Sequence, residues 1–142
     1  MSVSSPFSAT PPPSRVLTEL DHVRLGKWLQ AQSPQSEPLR QLLDNADLVD
    51  SAAVAPNVVT MRSRVRVSDP QGGQPRELTL VYPDEADAAL GHVSVLSPVG
   101  TALLGLRSGE VARWLAPDGR QAGALRVDAV AYQPEASGDV LR

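Results

Sequence analysis

The segment Gly91-His92-Val93-Ser94-Val95-Leu96-Ser97-Pro98-Val99-Gly100-Thr101-Ala102-Leu103-Leu104-Gly105 constrains this chain more than any other. A β-branched, apolar run stops at Ser-Pro, and a helix of small and apolar residues begins there. Ser97 suits the N-cap, because its hydroxyl can accept from the orphan amides of the first turn. Pro98 suits the first helical position, where a missing N–H costs nothing. Val99, Ala102, Leu103 and Leu106 then fall at helical spacing, and Gly105 can end the helix in the left-handed region. The segment therefore predicts a strand, over 91–96, running directly into a short buried helix over 98–104.

The flanking sequence supplies the partners such an element needs. Leu25, Trp28 and Leu29 share one helical face behind a Thr18/Asp21 capping pair. Ser36-Glu37-Pro38 starts a second helix, and Leu39, Leu42, Leu43, Ala46 and Val49 continue it as an apolar stripe. Two short amphipathic helices joined by a tight loop predict an antiparallel hairpin over 16–50. Beyond Asp50–Pro56 the period changes to two. Val65 and Val67 alternate with Arg64, Arg66 and Ser68, and Leu78, Leu80 and Tyr82 alternate with Thr79 and Val81. Asp69-Pro70-Gln71-Gly72-Gly73 between them is turn chemistry, so the pair reads as a β-hairpin. Strands over 109–115 and 125–132 complete an antiparallel sheet wrapped on one short helix, an α+β domain over 57–135. The first 15 residues, rich in Ser, Pro and Thr, read as a disordered tail.

Composition narrows the function. The net charge of −3 argues against strong binding of a nucleic-acid backbone, which needs clustered Lys and Arg. The chain has no Cys, which excludes thiolate chemistry and zinc–thiolate sites. His22 and His92 lack ligand spacing, and no run reaches the roughly 18 apolar residues of a membrane helix. No secretory signal opens the chain, so a cytoplasmic protein is expected. No Walker-type phosphate loop is present. Asp84, Glu85 and Asp87 read as a solvated acidic loop, and Trp114 and Tyr132 as half-buried strand residues. No cofactor and no metal site are expected.

Several blocks, in order, resemble the Rnk and Gre group of transcription factors: Asp21-His22-Val23-Arg24-Leu25, Val58-Val59-Thr60-Met61-Arg62-Ser63-Arg64-Val65, Leu80-Val81-Tyr82-Pro83, the Ser-Pro element, and Val130-Ala131-Tyr132-Gln133-Pro134-Glu135. The resemblance implies an FKBP-like fold for the carboxy-terminal domain. It also implies a non-enzymatic regulator that docks on RNA polymerase at the secondary channel, with a link to nucleoside diphosphate kinase. In Gre factors a long coiled coil carries an acidic pair that helps hold the catalytic magnesium. Here each helix has about a dozen residues, about 18 Å long, and the loop 31–37 holds one acid, Glu37. Transcript cleavage is therefore not expected. In Gre factors the positions matching Leu96 and Pro98 lie at the polymerase-docking surface. Leu96, Ser97 and Pro98 are the first candidate contact, and Arg62, Arg64 and Arg66, read as one face of a strand, are the second. The runner-up readings are a prolyl isomerase, for which the 4% aromatic content is poor material, and an adaptor that binds the kinase directly.

Overall fold

The computed structural model describes residues 15–29, 37–116 and 118–138, in the order β1 (Val16–Thr18), α1 (Glu19–Leu29), α2 (Glu37–Asn45), β2 (Asp47–Val49), β3 (Arg64–Ser68), β4 (Arg76–Val81), β5 (His92–Ser94), α3 (Pro98–Leu103), β6 (Val111–Leu115), β7 (Gln121–Tyr132) and α4 (Pro134–Ser137). Five strands form one curled sheet in the order β5-β4-β3-β7-β6. The β3–β4 hairpin forms as its turn chemistry predicts. Asp69 accepts from the Gln71 amide with its side chain at 2.8 Å and from the Gly72 amide with its carbonyl at 2.9 Å. Irregularities between Arg64 and Val65 and between Arg66 and Val67 break the β3–β7 ladder, and bulges of this kind bend a sheet.

The Ser-Pro element folds as its residues require. The Ser97 hydroxyl accepts from the Gly100 amide at 3.0 Å and donates to the Ser94 carbonyl at 2.6 Å, while Pro98 opens α3. Thr101 donates its hydroxyl to the Val95 carbonyl at 2.6 Å, a second tie between helix and strand end. A Cβ on Gly100 would lie 2.0 Å from the Ser94 carbonyl oxygen. Only a glycine lets α3 fold back this closely on the end of β5. The helix ends at Leu103, one residue short of the expected 104, with Leu104 in extended backbone; Gly105 (φ +84) makes the left-handed turn where expected.

Three expectations are corrected. The sheet is mixed, because β5 runs parallel to β4, with Thr79, Leu80 and Val81 opposite His92, Val93 and Ser94. Two single-turn 3-10 helices, Pro83–Glu85 and Ala88–Leu90, carry the chain across, and Gly91 (φ +74) turns it back. The second helix stops at Asn45, so Val49 is not on its stripe; Asp47–Val49 instead pairs in parallel with Val16–Thr18, a strand that alternation could not reveal in three residues. The expected tail ends short of Arg15, whose guanidinium donates to the carbonyls of Ala102 (3.0 Å) and Leu104 (2.8 Å) and so satisfies the open end of α3. Residues 1–14 and the inter-helix connection 30–36 lie outside the described residues.

One core joins helices and sheet. Leu17, Leu25, Leu29, Leu39 and Leu43 pack in the same cluster as Val65, Val67, Leu80, Leu103, Leu104 and Val127. The helical segment is thus seated on the sheet. Two glycine substitutions should act in opposite directions in urea unfolding. Gly100→Ala should cost about 3 kcal/mol, since a methyl would collide with backbone. Gly26→Ala, within α1 and with nothing within 4 Å of the new methyl, should gain about 0.5–1 kcal/mol.

Candidate functional site

Two backbone features frame the C-terminal end of β4. On one side the Arg62 amide donates to the Leu80 carbonyl at 2.6 Å; on the other the Val95 amide donates to the Val81 carbonyl at 2.9 Å. The turn carrying Arg62 and the loop leading to Leu96-Ser97-Pro98 therefore approach the same end of the sheet from opposite sides. At the tip, Pro98 is exposed, Ser97 is committed to its cap, and Leu96 is half-buried against the core. The Leu96 amide is itself held by the Ser94 hydroxyl at 3.0 Å. The tip is a fixed shape with little polar surface of its own.

The three arginines do not form one strand face. Arg62 precedes β3, in the turn Thr60–Ser63, and has left-handed backbone (φ +67), a conformation that strains a non-glycine residue. Its guanidinium makes a two-pronged pair with Glu85, at 3.1 and 2.7 Å, and lies 5.3 Å from the centre of the Tyr82 ring. That pairing holds the Glu85 carboxyl below the usual carboxylate range. Arg64 and Arg66 do project from the exposed face of β3, but Glu77 on β4 stands 3.6 Å from each, and Arg64 also lies 5.8 Å from the centre of the Tyr132 ring. The basic stripe is partly neutralised by its neighbour strand. Exposed pairs of this sort add little to stability.

The Trp28 and Tyr82 rings stack at 6.3 Å, so the Tyr82 ring is contacted by both an indole and the Arg62 guanidinium. Arg24, Lys27, Trp28, Arg62, Asp84 and Glu85 line an open groove there, where α1 meets the sheet. Beneath it lies a group that sequence reasoning assigned only to a cap. Thr18 does cap α1, accepting the Asp21 amide at 3.0 Å, but the Asp21 carboxylate turns away and accepts the Met61 amide at 3.0 Å. Asp21 is 3% exposed, and burial pushes its carboxyl up to about 6. The Met61 hydrogen bond and the Arg24 guanidinium oppose that rise, while the Glu135 carboxylate adds to it. Burial also raises the Tyr82 phenol to about 12, with the Asp21 charge adding to the effect.

The closing block Gln133-Pro134-Glu135 fastens the same turn from the other end of the chain. Gln133 donates to the Ala55 and Val58 carbonyls at 2.7 and 2.8 Å, and Glu135 accepts from the Thr60 hydroxyl at 2.6 Å. His22 reaches the Leu43 carbonyl at 3.2 Å and so ties α1 to α2. The acidic connection is engaged as well: Asp87 accepts from the Ala89 amide at 3.0 Å. Among the described residues no group of three or more metal-binding side chains assembles.

Residues 54–132 match the family model described as transcription elongation factor, GreA/GreB, C-term. A regulator of nucleoside diphosphate kinase from Escherichia coli strain K12 is 38% identical over 91% of this chain and 97% of its own length. A transcription elongation factor GreA from Flavobacterium johnsoniae is 36% identical over 57% of this chain and 51% of its own length. A solved structure described as a prokaryotic transcription elongation factor GreA/GreB from Nitrosomonas europaea superposes with a TM-score of 0.71, at 37% identity, over 84% of this chain and 99% of that one.

Folding and docking contributions at the tip can be separated. Ser97→Ala should cost about 1 kcal/mol in urea unfolding through loss of the cap. Truncating a docking candidate that contributes little to the core should cost much less.

Proposed function

This chain belongs to the GreA/GreB transcription elongation factor family, and on that footing we propose that it is a non-enzymatic regulator that binds RNA polymerase at the mouth of the secondary channel. The observation that carries the reading is the similarity to a whole regulator of nucleoside diphosphate kinase; the capped Ser97-Pro98 tip, which the resemblance to Gre factors implies as a docking position, supports it. The globular sheet supplies the affinity, and the short helical segment orients the domain or obstructs the entrance. Competition with Gre-type factors for one site follows.

Helix lengths and charge favour binding without transcript cleavage. α1 has 11 residues and α2 has 9, lengths of about 16 and 14 Å at 1.5 Å per residue. Residues 31–37 carry the single acid Glu37. One carboxylate on a short arm is a poor ligand set for a catalytic magnesium. A prolyl isomerase pocket, the alternative an FKBP-like reading raises, wants converging aromatics. Here Tyr82 is stacked by Trp28, Trp114 sits against Gly123, and Tyr132 lies beside Arg64. The names of the relatives keep a second reading in view, an adaptor that binds nucleoside diphosphate kinase itself.

Capture from a cell extract followed by mass spectrometry should recover RNA polymerase subunits. Recovery of nucleoside diphosphate kinase without polymerase would replace the first reading by the second. Adding the purified protein to stalled elongation complexes should leave transcript length unchanged, and magnesium-dependent shortening would overturn the non-cleaving assignment. Leu96→Asp and Leu96→Lys lose the same partial packing and should melt alike, yet differ about tenfold in polymerase Kd if the tip docks. Equal binding by both would move the docking surface to the Arg62 turn and the Arg64/Arg66 face.

A further inference from the structure

The joint between α1 and the sheet rests on a buried acid that the proposed docking does not use. Asp21 is 3% exposed, and its carboxylate accepts the Met61 amide at 3.0 Å across the boundary between helix and sheet. Thr18, fully buried, caps the helix at the same place. Every element around the carboxyl brings a titratable or charged group. Arg24 comes from α1 itself, Glu135 from α4 through its bond to Thr60, and Tyr82 from the end of β4. The Tyr82 hydroxyl is buried on the side of the pocket that faces Arg24. Of the charges acting on Asp21, the Glu135 carboxylate repels and the Arg24 guanidinium attracts, beside a turn with strained backbone at Arg62.

We propose that this joint is a proton-operated latch: a neutral Asp21 carboxyl seats α1 firmly on the sheet, and an ionised one loosens it. An ionised carboxylate in this pocket keeps its amide donor but bears desolvation and the repulsion of Glu135. In the opened state the same carboxylate is hydrated and titrates near the ordinary Asp range. The seated state therefore binds the proton more tightly than the open one. Stability of the joint is greatest below the ordinary Asp pKa, about 4, and falls as pH rises to the seated value of about 6. Above that it is level, because both states are then ionised. Glu85 and Asp128, whose carboxyls are held low by their partners, act in the opposite sense and only at more acid pH.

The test is amide hydrogen exchange on the full chain between pH 4.5 and 6.5, corrected for the intrinsic rate. Opening of α1, read at Leu25 and Leu29, should rise roughly twentyfold across that range while Val65 and Val127 in the sheet change little. Asp21→Asn keeps an acceptor for the Met61 amide without a charge, and its α1 opening should be independent of pH. A parallel rise in wild type and variant, or a rise spread equally over the sheet, would overturn the latch. Should Asp21→Asn fail to fold, carboxyl-carbon NMR of the wild-type protein decides. A midpoint near 6 for Asp21 supports the latch, and one near 4 overturns it.

Discussion

The carbonyl of Ser94 is the point on which the second half of the chain turns. It takes the Ser97 amide and hydroxyl, and the first turn of α3 lies so close above it that only a glycine fits at position 100. With α3 fixed there, its far end must close somewhere, and it closes on the start of the described chain. The Arg15 guanidinium takes up the free carbonyls of Ala102 and Leu104, and the Val16 amide donates to the Gly105 carbonyl at 3.2 Å. Gly105 itself donates to Val59, so the helix, the first strand and the segment leading into the sheet share one junction. A Cβ on Gly105 would press on Arg15 and Val16 at 3.0 to 3.1 Å, which makes the close approach mutual.

The electrostatics of the surface are quieter than the sequence suggests. Arg62, Arg64 and Arg66 each stand within 4 Å of a glutamate, and two of them also cover tyrosine rings. Such cations contribute planar, partly apolar surface as much as charge. A partner meeting this end of the sheet would encounter a fixed loop, a half-buried leucine and paired guanidinium groups. That surface suits recognition by shape more than by long-range attraction, and it agrees with the small net charge of −3.

Much of this architecture was legible where local chemistry decides. The Ser97 cap, the Pro98 start, the hairpin turn at Asp69–Gly73 and the apolar faces of α1 and α2 each follow from residues within a few positions of one another. The misreadings share another cause. Val49 continues a helical period, but backbone pairing with Thr18, 31 positions earlier, draws it into a strand. The direction of β5 depends on how the turns of residues 83–90 are spent, which no alternation pattern records. Arg62 carries the right parity to extend β3, yet the turn that Thr60 and Ser63 build from their hydroxyls removes it from the strand. Asp21 had a visible local explanation in the cap of α1, and that explanation concealed the long-range bond to Met61. The fold of the candidate tip was legible in its capping residues, its candidacy came from the resemblance to Gre factors, and its neighbours at the end of β4 became visible only in three dimensions.

The parallel pair of Val16–Thr18 with Asp47–Val49 means that the two helices leave the domain and return to it at adjacent points. They are in effect a clamped insertion. For a segment whose feet are already tied, lengthening the far end costs little: each doubling of a flexible loop adds only about 0.6 kcal/mol of closure entropy. The length of the helical segment is therefore nearly a free variable, adjustable beyond its tied feet without disturbing the sheet. The same sheet can in this way carry helical segments of very different length, set by insertion and deletion alone.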